Sequence, residues 1–301
     1  MAYGVKLDPQ PIGPGLSVRD LVDRHLYAYN AARLREACQL FARKIAQPDV
    51  TIGVTLSGAL TPTGLGTSAI VPLIRAGLRA EAADIVALQE VLCMSGPAGD
   101  LSQLDDIVRP DGEDASPLYA HRAYAPAWTL DAAAGFTMGN AILSRFPILE
   151  THTVLLPNPI GHETRSLLCA LLQTGSGLQP ILVTHLDWQF NLSHARCQQV
   201  SFMVDCMDGW LRAARDRNPG ADLLPAILCG DFNAESDSDE IRFLRGRHAL
   251  PAPGTGVLRG VYFNDPVDFC HADAGPTFAR DNVFAARERE PDRRVDYIFV
   301  A

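Results

Sequence analysis

A chain of 301 residues with 47% hydrophobic content is long enough for one large domain or two modest ones, and neither disorder nor a fibrous class fits it. No run of about 18 apolar residues occurs, and Met1-Ala2-Tyr3-Gly4-Val5-Lys6-Leu7-Asp8 lacks the charged start and apolar core of a signal peptide, so the expectation is a cytoplasmic protein with no transmembrane segment. The net charge of −9 is unevenly placed: residues 1–80 hold nine Lys/Arg against five Asp/Glu and residues 81–301 seventeen against thirty, an acidity that disfavours a nucleic-acid partner without a separate basic face.

Taken in chain order, the first stretch to Leu16 is a Pro- and Gly-rich arm. Ser17 then opens an N-cap with an acid three residues on, Asp20, and Leu21, Val22, His25, Leu26, Tyr29 and Ala32 continue at helical spacing. A second helical pattern runs through Leu34, Cys38, Phe41 and Ile45. Val50 to Leu56 reads as a strand, Ser57 to Thr67 as a glycine-containing loop, and Ser68 to Leu78 as a helix leading to a strand that ends at Glu90. Val91 to Thr137 is rich in Asp, Gly and Pro and reads as loops. Ala141 to Leu143 and Leu167 to Leu172 read as strands. Gln198 to Arg215 sets Ser201, Met203, Val204, Met207, Trp210 and Leu211 on one helical stripe, a pattern of core packing. The seven cysteines are scattered without a C-x-x-C pair, so neither a disulfide framework nor a zinc site is expected.

Four apolar runs end in a carboxylate, an amide or a histidine: Asp84 to Glu90, Ile181 to His185, Ala226 to Asn233, and Arg294 to Val300 around Asp296. Short buried strands with polar exits put those side chains at a sheet rim. One such end is ordinary, since Glu90 alone is a solvated strand end, His185 alone a satisfied core histidine, and Asp231 with Asn233 an Asx turn. Four together suit a hard divalent cation, which needs oxygen ligands, beside a phosphate, which needs donors.

Leu88-Gln89-Glu90, Gly139-Asn140-Ala141-Ile142-Leu143-Ser144-Arg145, Thr184-His185-Leu186, Gly230-Asp231-Phe232-Asn233 and Arg294-Val295-Asp296-Tyr297 resemble, in order, the signatures of the endonuclease/exonuclease/phosphatase superfamily over about residues 81–301. The resemblance implies an α/β fold of two mixed β-sheets packed face to face with helices outside, a four-layer sandwich preceded by a helical front segment. It also implies hydrolysis of a phosphoester, a phosphodiester in particular, with Mg²⁺ or Mn²⁺. Glu90 is then the metal ligand. Asp231 orients or deprotonates the attacking water, Asn233 positions that water and donates to the phosphate, and a protonated His185 stabilises developing charge. Asn140 and Arg165 join as substrate-binding groups, and Asp187 orients His185 or a neighbour. Acidity tilts the expected substrate toward a small or lipid phosphoester over nucleic acid.

Two departures from the superfamily pattern set a rival expectation. Its aspartate matching Asp296 orients a histidine in a downstream Ser-Asp-His element, whereas this sequence stops at Ala301, leaving His271 or His162 to take that part. Its first strand carries an asparagine near the metal, whereas Val54-Thr55-Leu56-Ser57 offers Ser57. The rival is therefore a C-terminally truncated, catalytically impaired fusion with an incomplete sandwich, binding metal or a partner without turnover. The front segment, residues 1–80, resembles the start of deoxyhypusine synthase-like proteins through Ala28 to Ala37 and Thr55 to Gly66. Those proteins use NAD and a catalytic lysine far downstream. Only Lys6 and Lys44 occur here, neither in a matching context, so a complete enzyme of that kind is excluded; a phosphate-cradling module at Ser57 to Gly66 is the remaining alternative. Oligomeric state is not legible.

Overall fold

A computed structural model describes residues 17, 20, 39, 71–96, 99–110, 116–133, 135–161, 163–270, 275–279 and 291–301. It divides into two compact units, Met1–Val54 and Thr55–Ala301. In the first, Ser17 Oγ accepts the Asp20 N–H at 3.1 Å and donates to Asp20 Oδ2 at 2.7 Å, the helix start expected there. The other expectations for the front segment up to Ile70, Ser57 included, lie outside the described residues.

The second unit is built on two sheets. The first runs in the order β2-β1-β4-β3, from Gly99–Ser102, Ile85–Gly96, Phe136–Ser144 and His121–Asp131, with every pairing antiparallel. The second runs β11-β8-β7-β6-β5, from Asp296–Val300, Ile227–Asp231, Gly177–His185, Ser166–Thr174 and Ile148–Leu155, and its β7/β8 pair is parallel. Two-residue strands β9 (Leu250–Pro251) and β10 (Leu258–Arg259) form a separate pair.

Side-chain alternation along β6 explains the layering. Leu168, Ala170 and Leu172 face the first sheet, meeting Ala123, Ala125 and Ile142, with Ile181 and Val183 of β7 beside them. Leu167, Cys169 and Leu171 face the other way, onto helix α3 (Ser193–Arg217) through Val200, Met203, Val204 and Met207. A strand buried on both faces must be apolar at every position, which is why this segment shows no period of two in its sequence. Helices α1 (Val71–Glu81) and α2 (Gln103–Val108) cover the outer face of the first sheet through Ile74, Leu78, Leu104 and Ile107. The order helix, sheet, sheet, helix is the four-layer α/β sandwich. Short helices α4 (Asp239–Leu244) and α5 (Val267–Cys270) follow.

The helical stripe from Ser201 to Trp210 is core, as its spacing predicts. Two other expectations change. The stretch Val91 to Thr137, read as loops, holds the rest of β1, all of β2 and α2, and the eleven-residue β3. Its buried positions in β3 are Ala123 and Ala125, too small to register as a hydrophobic run. Nor does β1 end at Glu90: it continues to Gly96 across a bulge. Among the described residues no helix is long and apolar enough to cross a membrane, and the cysteines at 93, 169, 197, 206 and 229 are free thiols.

Candidate active site

Register alone assembles the centre of the site. On β8, Asp231 stands directly opposite His185 of parallel β7 and directly opposite Asp296 of antiparallel β11. Opposed residues share a face of the sheet, so an imidazole and two carboxylates form one row across three strands. His185 Nε2 lies 3.7 Å from Asp231 Oδ2. The row depends on Gly230, where φ is +145° and an added Cβ would stand 1.9 Å from the Thr184 carbonyl oxygen. Only glycine permits that approach of β8 to β7.

The next turn of chain fixes Asn233. Phe232 is fully buried, edge-on to Tyr297 and Phe299, as expected. Asn233 leaves the extended conformation with φ of +49°, its N–H bonds Asp231 Oδ1 at 2.8 Å, and its amide donates to the Leu186 carbonyl at 3.1 Å. The Asx turn and the proximity of the two polar side chains therefore coexist, and the turn produces the proximity where simple strand alternation was expected to.

From the first sheet come Glu90 and Asn140. Leu88 pairs with Ala141 and Val91 with Gly139, so Gln89 and Glu90 together oppose Asn140 in a β-bulge, with Glu90 at φ +56°. A left-handed conformation at a residue other than glycine costs roughly 1–3 kcal/mol and is retained where it aims a side chain. Asn140, 1% exposed, donates its amide to the Ser166 carbonyl at 2.9 Å and to the Ser166 hydroxyl at 3.2 Å, joining the two sheets at this rim.

Arg165 immediately precedes β6 and is buried. Its Nη2 donates to Glu163 Oε2 at 2.9 Å, Nη1 lies 3.3 Å from His185 Nδ1, and the buried Nε has no hydrogen-bond partner. Asp187, past the end of β7, accepts the Gln189 N–H at 3.0 Å. Its own N–H goes to Gln199 of α3 at 3.1 Å.

Charge in this rim is unbalanced. Burial pushes the Asp231 carboxyl up to about 7, helped by Asp296 and Glu90 and opposed by the Asn233 N–H and by Arg165. Burial also raises Asp296, while the Thr277 hydroxyl holds it down. His185 shifts the other way: burial, with Arg165 adding to it, drives the ring well below the ordinary histidine value. The protonated ring expected from the sequence is thus disfavoured at this position in the protein without substrate.

Among the described residues no group of three or more His, Cys, Asp and Glu side chains forms a ready cage for a metal. The donor set suits a cation that keeps its waters. Mg²⁺ and Mn²⁺ need only one or two carboxylates plus substrate oxygens, and Glu90 beside the mutually repelling Asp231 and Asp296 supplies negative charge that such an ion would relieve.

Sequence reading missed Thr277, whose hydroxyl accepts the Val295 and Asp296 N–H groups at 3.0 and 3.1 Å. Its only signal was its place after Gly275-Pro276. Arg196 was also missed. It lies on the buried side of α3 and donates to the carbonyls of Asp187 at 3.2 Å and Gln189 at 2.7 Å, holding the loop that follows His185. His162 and His271 lie outside the described residues.

Comparison with known proteins bears on the same region. A model of the Endonuclease/Exonuclease/phosphatase family matches residues 64–301. The fold is similar to a mannosyl-6-phosphatase of Bacteroides thetaiotaomicron (TM-score 0.51, 19% identity, 82% of each chain). It is also similar to an endonuclease/exonuclease/phosphatase family protein of the same organism (TM-score 0.51, 20% identity, 82% of this chain and 78% of that one). At such identities the likeness is one of fold. The N-terminal region matches a deoxyhypusine synthase-like protein of Cyanothece sp. at 60% identity over 76 residues, which are 25% of this chain and 19% of that protein.

Proposed function

We propose, on the premise that the chain belongs to the endonuclease/exonuclease/phosphatase family, that it hydrolyses a phosphoester by in-line attack of water and that residues 81–301 carry the reaction. One observation carries the reading: a base held near neutrality, Asp231, sits in register between an imidazole and a second carboxylate at the rim where Glu90 and Arg165 also converge.

Each group has a task that its geometry supports. Asp231, with its carboxyl near 7, accepts the proton of the attacking water, since a general base works best when matched to the ambient pH. Asn233 is tied to Leu186 through one amide donor, and a primary amide carries a second, which positions the water or a phosphate oxygen. His185 donates to a non-bridging oxygen. Arg165 adds positive charge to the phosphate side, and Asp296 keeps Asp231 raised. Glu90 would hold Mg²⁺ or Mn²⁺, which when bound supplies charge neutralisation at the phosphate oxygens. Asn140 keeps the two sheets, and with them Glu90 and Arg165, in register at the rim.

The acidic balance of residues 81–301 supports a small or lipid phosphoester over nucleic acid. The N-terminal match spans 19% of the length of the first deoxyhypusine synthase-like relative. Hydrolysis of bis-p-nitrophenyl phosphate and of mannose 6-phosphate with Mg²⁺ or Mn²⁺ tests the reading, in the wild-type chain and in Asp231→Ala. Equal rates in the two proteins reject it. Mn²⁺ binding without hydrolysis by the wild type selects the impaired rival.

A further inference from the structure

The pairing of Arg165 with His185 determines where the imidazole keeps its proton. Nη1 of the guanidinium lies 3.3 Å from Nδ1, and the two side chains are 3% and 8% exposed, so no water layer separates them. A guanidinium carries five donors and no acceptor, and it does not lose its proton in a protein. Two N–H groups cannot face each other at this distance, so Nδ1 presents its lone pair. A neutral ring has one proton, which must then sit on Nε2. Nε2 is the atom that points along the row, 3.7 Å from Asp231 Oδ2.

We infer that Arg165 is a positioning residue that locks His185 as the neutral Nε2–H tautomer, making the ring a fixed hydrogen-bond donor toward the phosphate that keeps its proton throughout the reaction. The clamp is itself anchored. Glu163 holds Nη2 at 2.9 Å, and the Arg165 carbonyl accepts the Leu156 N–H at 2.8 Å, so the residue is tied at both its backbone and its guanidinium. Its buried Nε without a partner is what such a placement leaves behind: the group is oriented for the histidine and Glu163 at the expense of its third edge. An imidazolium would set a second donor and a second positive charge against Nη1, so His185 does not serve as the acid that protonates the leaving group.

The role in catalysis rests on the phosphoesterase reading, whereas the tautomer stands on the protein alone, and the test separates them. Long-range ¹H–¹⁵N correlation spectra of ¹⁵N-histidine-labelled wild-type protein at pH 7, without substrate, are expected to show Nε2 protonated and Nδ1 unprotonated. Arg165→Lys, still a pure donor, retains that pattern. Arg165→Gln, whose amide also accepts, allows the Nδ1–H form to appear. A wild-type ring protonated at Nδ1 overturns the inference whether or not the variants fold, and so does an unchanged pattern in folded Arg165→Gln. On the kinetic side, Arg165→Gln is expected to lower kcat by about 10²-fold or more, the scale on which a wrong imidazole tautomer acts, a larger change than the rise in KM from the lost positive charge, with partial recovery of kcat in Arg165→Lys. An unchanged kcat overturns the positioning role. Absence of any turnover in the wild type counts against the phosphoesterase reading and leaves the spectra to decide the tautomer.

Discussion

Two polar clusters, one buried and one half-buried, lie beyond the end of β7, and they are built on opposite terms. Around Arg196, charge and hydrogen bonding close: Glu240, 0% exposed, takes the guanidinium Nε at 2.6 Å on Oε1 and the Ser193 hydroxyl at 2.7 Å on Oε2, and the remaining donors reach loop carbonyls. Around Asp231 they do not close. Two carboxylates oppose each other across a ladder, a third adds to the repulsion, a histidine is kept neutral and an arginine nitrogen is left bare. A satisfied cluster holds a loop in place; an unsatisfied one keeps reactive groups ready for a ligand.

That contrast is sharpest in the response to losing one member. Asp231→Ala is expected to lower phosphoester turnover by about 10²- to 10⁴-fold, the worth of an aligned acid or base, while thermal unfolding stays as cooperative as in the wild type. Arg196→Ala strands a buried carboxylate and is expected to destabilise the fold by about 3–5 kcal/mol, read from urea denaturation. If Arg196→Ala unfolded no more easily than Asp231→Ala, the distinction between the clusters would be lost.

A smaller effect comes from pH. The Asp231 carboxyl lies above its unfolded value of 3.8, at about 7, so its contribution to stability is complete below about pH 4 and is lost as pH rises through 7. His185 acts in the reverse sense, with its ring depressed, so that its contribution holds above 6.5 and fades as pH falls. With chelator present, the melting temperature of Asp231→Asn should therefore gain on the wild type between pH 5 and 8, and Mg²⁺ or Mn²⁺ should narrow that gap at pH 8. A constant difference across the range would disprove the assignment of the titration to Asp231. Smallest of all, Asn140→Ala removes two bonds between the sheets. We expect it to cost about 1–3 kcal/mol in denaturation and to leave the melting pH profile unshifted.

Legibility in the sequence tracks how each element is stabilised. Four strands of the second sheet were readable because they are largely aliphatic runs beside polar residues, as in Ile181 to His185 and Ala226 to Asp231, whereas its edge strand β5, mostly exposed and interrupted by Glu150, Thr151, His152 and Thr153, was not. The first was readable only at β4 and the start of β1. The far half of β1 follows a bulge, and β3 fills its buried positions with alanine, so neither shows a hydrophobic period. Candidate residues at strand ends could be named from their own segments, whereas the partners that set their state could not. Thr277 reaches Asp296 from a loop nineteen residues earlier, and Glu240 reaches Arg196 from forty-four residues later. Contacts of that kind leave no local pattern.

The absent side chain at Gly230 sets a tolerance for the whole site. Since the Thr184 carbonyl occupies the space where a methyl group would go, Gly230→Ala has to spread two adjacent strands that between them carry the imidazole and the base. The spacing between His185 and Asp231 is thus held by a residue without a side chain, and a single carbon atom there is enough to misalign them.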